Sequence, residues 1–198
     1  MRAYIYRFTQ EEDWIVLTVN GTRPHPDLDD VVGYFVNLVT LRFSSSSYRR
    51  SFVDLLVGTR NVALVALQHG GVPFDTILDV CGTARSTSFH PLGQVFVNYK
   101  LSNPFIGVST TDFVIQESVV EDMATPGEIA VEAVEDPVNG LQLRLEFGSF
   151  LYGERDMEGF LEGFRGFVLG AIADHRGPVG DIGGLDGEVI DQMVTVVR

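Results

Sequence analysis

Two long segments with helical periodicity constrain the fold of this chain more than any other sequence feature. Between residues 48 and 69, apolar side chains recur every three or four positions, which predicts a helix of about five to six turns. The same spacing predicts a second helix from about residue 154 to residue 175. Glycines at positions 159, 163, 166 and 170 form a stripe on this second helix. Such a stripe permits close approach of another backbone, either within the fold or from another subunit.

Segments rich in β-forming residues surround these two helices. They predict strands at residues 3–9, 14–20, 94–100, 112–119, 128–134 and 140–147, with a turn at 135–140. Residues 31–41 are almost continuously apolar, which predicts a segment buried on both sides, followed by a strand through Phe43. Ser44 to Ser47 would cap the helix that follows, and Pro73 would open a short helix from Phe74 to Val80. This order predicts the α+β class, with one mixed β-sheet flanked by helices.

The composition excludes several classes of partner. The formal net charge of −13 opposes binding to nucleic acid and to anionic membranes. No apolar run approaches the roughly 18 residues of a membrane span, so we expect no membrane insertion. The single cysteine, Cys81, cannot form an internal disulfide and fits a reducing compartment, so we expect a cytoplasmic protein. The sequence contains no metal-ligand spacing and no nucleotide-binding glycine motif, and we expect neither metal nor cofactor.

Three short motifs in fixed order carry a family resemblance. They read VGYFVNLVTLR at residues 32–42, LQHGGVPFD at residues 67–75 and RSTSFHPL at residues 85–92. Their order and spacing resemble the C-terminal half of nonribosomal peptide synthetase condensation domains. The following GQVFVNY, residues 93–99, resembles the fungal branch, including domains attached to highly reducing polyketide synthases. The third motif departs from the family pattern, because Ser86 replaces an acidic residue and His90 replaces an asparagine.

The resemblance covers roughly residues 3–175 and implies a chloramphenicol acetyltransferase-like lobe at residues 1–176, followed by a linker or tail at residues 177–198. The family's catalytic motif, His-His-x-x-x-Asp-Gly, lies in the other half of the domain, and no two histidines are adjacent here. The resemblance therefore implies an acceptor-side lobe for a polyketide or carrier-bound acyl substrate. Such a lobe would not form amides alone and would need a complementary lobe or a second copy of itself.

Candidate site residues lie within these motifs. By the resemblance, the first motif lies near the acceptor side of the tunnel, so its residues would shape a pocket. Asn37 stands in an apolar run and needs hydrogen-bond partners, which we expect to be neighbouring backbone groups. Arg42 would need a carboxylate or several carbonyls if buried. The predicted substrate-binding residues are Tyr34, Phe35, Asn37, Phe74, Phe96, Asn98 and Tyr99.

Two histidines are the predicted catalytic residues. His69 ends the first long helix, and two aspartates, Asp75 and Asp79, follow it closely. His90 precedes a proline, which holds it extended and gives its ring a defined direction. Gly93 lacks a side chain and is expected to leave room beside the pocket.

A second interpretation stays open at this stage. A free-standing lobe with aromatic walls could act as a cyclase or pericyclase that folds a released polyketide in an apolar pocket. Orientation alone accelerates such an intramolecular reaction, and no acid or base is strictly required.

Overall fold

The computed structural model describes residues 1–9, 11–21, 23, 25–44, 49–83, 89–101, 108–115, 127–136 and 140–182. Four helices lie within these ranges: α1 (Arg2–Thr9), α2 (Phe52–Gln68), α3 (Phe74–Cys81) and α4 (Glu154–Ala173). The strands are β1 (Asp13–Gly21), β2 (Val36–Ser44), β3 (Val95–Leu101), β4 (Ile129–Asp136) and β5 (Gly140–Phe147). Short 3-10 turns occur at Pro26–Leu28 and Val179–Asp181.

The five strands form one mixed sheet in the order β2-β1-β3-β4-β5. The outer pairs, β1 with β2 and β4 with β5, are antiparallel. The inner pairs, β1 with β3 and β3 with β4, are parallel. The expectation of one mixed sheet flanked by helices is therefore confirmed.

Helices pack on both faces of this sheet. On one face, Val131 and Leu145 lie against the buried Leu161 of α4. Leu55 of α2 packs beside Phe167 of α4 on the same side. On the other face, a smaller buried cluster of Leu17, Phe96 and Ala130 is covered by Phe74 of α3. Apolar burial on both faces is the main stabilising contribution.

The prediction of a strand at residues 3–9 is wrong, because this segment forms α1. Its β-forming residues are placed at helical spacing: Tyr4 and Phe8 are one turn apart and their rings make an edge-to-face contact at 5.2 Å. Tyr4 also packs against Phe160 and Phe164 of α4. Packing against α4 therefore decides the conformation over the local strand preference.

The segment 31–41 is not buried on both sides as predicted. Val32 and Tyr34 are 100% and 87% exposed, and the strand begins only at Val36. The reason is topological, since β2 is an edge strand whose preceding residues leave the sheet.

The helix α2 also begins later than predicted, with Ser51 as its cap: Ser51 Oγ accepts a hydrogen bond from Asp54 N. Residues 45–48 lie outside the described residues.

Three further predictions meet the structure in part. Within residues 108–115 there is one isolated bridge, between Ser109 and Val114, instead of a strand, and residues 116–119 lie outside the described residues. The turn at 135–140 is described only at its ends, where Asp136 pairs with Gly140. The described part of the predicted tail does not behave as a free linker, because Val179 and Ile182 lie in the core. The division at residue 176 itself stays a prediction.

Candidate functional site

Asn37 fixes the connection between α2 and α3 to the start of β2. Its Nδ2 donates hydrogen bonds to the carbonyl oxygens of Gly70 at 2.8 Å and Val72 at 2.6 Å. The expected hydrogen bonds to backbone are confirmed, and their partners come from the second motif, more than thirty residues further along the chain. The first and second motifs therefore form one structural unit.

His69 lies beside this unit as the C-cap residue of α2. Its backbone N–H donates to the carbonyl of Ala66, and its own carbonyl accepts from Val72 N. The side chain is exposed at the helix end. This position places an imidazole next to the Asn37 connection and in contact with solvent, where a ligand could reach it.

The two aromatic residues of the loop before β2, Tyr34 and Phe35, have different surroundings. Tyr34 is almost fully exposed, whereas the ring of Phe35 lies 4.2 Å below the guanidinium carbon of Arg23. Arg23 also donates to the carbonyl oxygens of Leu28 and Val31. The cation–π contact and these hydrogen bonds hold the loop. Sequence reasoning missed Arg23, because nothing local marks it as the partner of a residue twelve positions away.

His90 is the predicted catalytic residue with the more defined geometry. Its Nδ1 lies 2.9 Å from the carbonyl oxygen of Pro91. A carbonyl oxygen only accepts, so Nδ1 is the donor in this contact and Nε2 of the neutral ring is the acceptor. The ring packs against Phe74 with centroids 5.6 Å apart. Phe74 in turn lies on the cluster that contains Phe96, so His90, Phe74 and Phe96 come together on one face of the sheet.

Asn98 and Tyr99, as neighbours on β3, point to opposite faces of the sheet. Asn98 Nδ2 donates to Glu132 of β4 at 3.4 Å. Glu132 also forms ion pairs with Lys100 at 2.9 Å and Arg144 at 3.8 Å. This polar group shares a face with Phe96 and was missed by sequence reasoning, because it depends on the register of three strands.

Tyr99 lies on the other face, where its hydroxyl donates to Glu135. This hydrogen bond is the main cause that raises the pKa of Tyr99 above its ordinary value. Tyr99 therefore remains a hydrogen-bond donor throughout the neutral pH range.

The two predicted pocket segments, residues 34–37 and 94–99, are separated by one strand. β1 pairs with β2 on one side and β3 on the other. Two strand spacings amount to about 10 Å, a distance that one extended ligand can cover. The room expected at Gly93 is absent, since a Cβ there would lie 3.1 Å from both the carbonyl oxygen of Ile15 and Cγ of Leu17. This glycine permits close contact with β1.

Arg42 was expected to need a partner only if buried; its side chain is 67% exposed, and it nevertheless pairs with a carboxylate. Its guanidinium makes two hydrogen bonds to Asp13, at 2.9 and 2.7 Å, across the β1–β2 pair. The hydrogen bond from Arg42 lowers the pKa of Asp13 below its usual range.

The Arg42–Asp13 pair borders a cavity of about 630 Å³ on the α3 side, which Ile77 and Cys81 also line. A second cavity, of about 730 Å³, lies between α1 and α4 and contains none of the predicted site residues.

The described ranges hold neither a set of metal ligands nor a membrane-spanning helix. No three His, Cys, Asp or Glu side chains in these ranges meet as a set of metal ligands. None of the helices within the same ranges has the length and hydropathy needed to cross a bilayer. The cytoplasmic location stays a prediction.

The chain belongs to the condensation-domain family, whose profile matches residues 1–193. The hybrid PKS-NRPS synthetase pynA of Aspergillus niger is similar, with 40% identity over 181 residues, which cover 91% of this chain and 5% of the synthetase. The hybrid PKS-NRPS synthetase pyvA of Aspergillus violaceofuscus is 39% identical over the same length. The family resemblance read from the three motifs is thus confirmed.

Solved structures of low sequence identity share the fold. The condensation domain of the Monacolin K polyketide synthase MokA superimposes with a TM-score of 0.73 at 22% identity, covering 90% of this chain and 41% of that chain. The X-domain from teicoplanin biosynthesis gives a TM-score of 0.77 at 17% identity, covering 92% and 42%. The predicted acetyltransferase-like α+β fold is confirmed. The chain spans about two fifths of these solved domains and a small fraction of the synthetases.

Proposed function

We propose that this chain is the acceptor-side lobe of a condensation domain that serves fungal polyketide–nonribosomal peptide biosynthesis. The single observation that carries the proposal is the family match over residues 1–193 in a chain that covers only 41% of the MokA condensation domain. The similarity to two fungal hybrid synthetases supports the pathway class. The lack of adjacent histidines in the sequence supports the assignment to the lobe without the family's catalytic motif.

In this proposal the lobe binds and orients a carrier-bound acyl substrate. The first wall is the segment 34–37, held in place by Asn37, and the second is the face of β3 that carries Phe96 and Asn98. Amide formation joins an amine nitrogen to the thioester carbonyl carbon, while the C–S bond breaks and the amine proton passes to the thiolate. The usual base for that proton would come from the complementary lobe. His90, with Nδ1 held by Pro91, would provide Nε2 as an acceptor at the pocket edge.

An exposed apolar face of α2 supports the need for a partner lobe. Five side chains on one helical face are 40% to 54% exposed: Val53, Leu56, Val57, Leu64 and Leu67. Exposed apolar side chains on one face suit an interaction site, and the exposed Arg60 lies among them on the same face. A second copy of this chain is the other occupant that we predicted, and the experiment below distinguishes the two.

The test is association with the missing part of the domain. An N-terminal condensation-domain half that carries the His-His-x-x-x-Asp-Gly motif is produced separately and mixed with this chain. We expect a one-to-one complex by light scattering. Val57→Glu should abolish it, whereas Val80→Glu, the same change at a site on α3 that is 82% exposed, should not. A chain that stays monomeric in the mixture, or that only pairs with itself, would contradict the partner-lobe proposal.

The free-standing cyclase has no observation in its favour. The family match and the solved structures of the same fold are condensation domains or X-domains of synthetases. The condensation-domain lobe is therefore the function that we propose.

A further inference from the structure

The cavity between α1 and α4 is a groove with aromatic walls. It has a volume of about 730 Å³ and opens at the starting ends of β1, β3 and β4. Five aromatic side chains line it: Phe8, Trp14, Phe89, Tyr152 and Phe160. The volume falls in the usual range for small-molecule sites, and an apolar lining with few polar groups is typical of them.

The charged side chains that the structure describes in the groove are both acidic. Glu11 and Glu128 line it, and among the lining residues that the structure describes there is no Lys, Arg or His. Tyr152 Oη donates to Glu128 Oε2 at 3.4 Å, which holds this half-buried carboxylate in place. Burial, followed by the charge of Glu128, raises the pKa of Tyr152, so its hydroxyl stays a donor at neutral pH. The groove therefore combines aromatic faces with a fixed negative charge.

We propose that this groove binds a small apolar amine, with a hydrocarbon or aromatic body and one protonated ammonium group. Aromatic faces and carboxylates are the two groups that attract an ammonium ion in a partly dehydrated site. An anionic ligand would be repelled by both glutamates and by the net charge of −13. The groove shares only Gln94 and Val95 with the predicted pocket segment 94–99, and its test below measures binding alone, without the condensation reaction.

Trp14 makes the proposal directly measurable, since it is the only tryptophan of the chain and lines the groove. Its fluorescence is followed during titration with three probes of one shape: 4-phenylbutylamine, 4-phenylbutanol and 4-phenylbutyrate. We expect the amine to change the emission and to bind about tenfold more tightly than the alcohol, because it adds a charge-assisted hydrogen bond. The carboxylate should not bind.

Variants separate the two components of the site. Glu128→Gln should reduce the affinity for the amine about tenfold and leave the alcohol unchanged. Glu146→Gln, on the neighbouring strand β5 and outside the groove, is the matched control and should change neither. Phe8→Ala, at a side chain that is 65% exposed, should weaken both probes without unfolding the protein. Trp14 lines both this groove and the cavity beside Arg42, whereas Phe8 lines only the groove. Weaker binding in Phe8→Ala therefore shows that the probes bind in the groove.

The proposal is overturned if the alcohol binds as tightly as the amine, if the carboxylate binds best, or if no probe binds at millimolar concentration. The three probes decide this on the unmodified protein, so the conclusion does not require that every variant folds. A Trp14 emission that shifts with protein concentration alone would assign the groove to a second copy of the chain and would also overturn it.

Discussion

At the scale of single residues, Asn37 shows the strongest link between sequence and structure. A polar side chain inside an apolar run must find partners, and two backbone carbonyls supply them. Because an amide donates and a carboxylate does not, Asn37→Asp would set a negative charge against both oxygens. We expect the free energy of unfolding to fall by about 1–3 kcal/mol, measured by urea denaturation.

The control for this prediction is Asn61→Asp, the same change at an exposed position in α2. It should alter the free energy of unfolding by no more than about 0.5 kcal/mol. Equal effects at both positions would mean that the two hydrogen bonds of Asn37 contribute nothing specific.

His90 leads to a second prediction, which applies to the chain assembled with its complementary lobe. His90→Ala removes the Nε2 acceptor next to Phe74 and should lower the turnover rate about 10²-fold while substrate affinity is retained. Tyr34→Ala should instead weaken substrate binding, because it removes a wall and no charged group. Steady-state kinetics would place the substrate elsewhere if Tyr34→Ala lowered turnover and His90→Ala weakened binding, or if neither variant changed either quantity.

Residue-level features were predictable only where the sequence created a local need. The requirement of Asn37 for partners could be stated in advance, but Gly70 could not be named as the neighbour. The pairing of the exposed Arg42 with Asp13 did not follow from any such requirement. The Glu132 group was missed entirely, because Lys100 and Arg144 reach it only in one strand register. Contacts between distant segments follow from the tertiary fold, which local patterns do not encode.

At the scale of elements, the helix α4 was predicted correctly from its periodicity, whereas α1 was wrongly predicted as a strand. The 20 residues of α4 repeat their apolar pattern over many turns, whereas the eight of α1 do not, and short segments leave helix and strand hard to distinguish. The aromatic residues of α1 owe their helical conformation to α4, which lies far away in the sequence.

The glycine stripe of α4 gives a prediction with a matched pair of sites. A Cβ at Gly159 would meet nothing within 4 Å, whereas a Cβ at Gly163 would overlap the hydroxyl of the buried Tyr4. Gly159→Ala should therefore raise the free energy of unfolding by about 0.5–1 kcal/mol through better helix propensity.

At Gly163 the same substitution must displace a packed aromatic ring, so Gly163→Ala should lower the free energy of unfolding by about 1–3 kcal/mol. Chemical denaturation of both variants measures the difference. Equal stabilisation at the two sites would show that α1 does not pack tightly on this helix. The contact of Gly163 with Tyr4 assigns this glycine of the α4 stripe to packing within the fold, which is one of the two roles considered for the stripe.

At the scale of the whole molecule, the start of the chain is part of the core. The amino group of Met1 is buried at the beginning of α1, and this burial lowers its pKa from 8.0 to about 5. Between these two values the group is neutral in the folded protein and protonated in the unfolded chain. The unfolded state then binds more protons, so the free energy of unfolding rises with pH across this window.

In a chain with a free amino group at Met1, we therefore expect full stability above about pH 8. The contribution of this group falls by about 1.4 kcal/mol for each pH unit towards pH 5. Urea denaturation between pH 5 and 8 measures it, with the N-acetylated chain as the control that lacks this titration. Identical pH dependence in both chains would contradict the burial of the amino group.

The central claim is that this lobe supplies the substrate walls of a condensation domain but not its catalytic base. The most direct measurement is amide formation from an acyl-loaded and an aminoacyl-loaded carrier protein. The account predicts no amide above the uncatalysed background with this chain alone, and none with the His-His segment alone. The two together should give amide, which is lost again when the second histidine of that motif is replaced by alanine. Amide produced by this chain by itself, or a stable assembled pair without activity, would contradict the account.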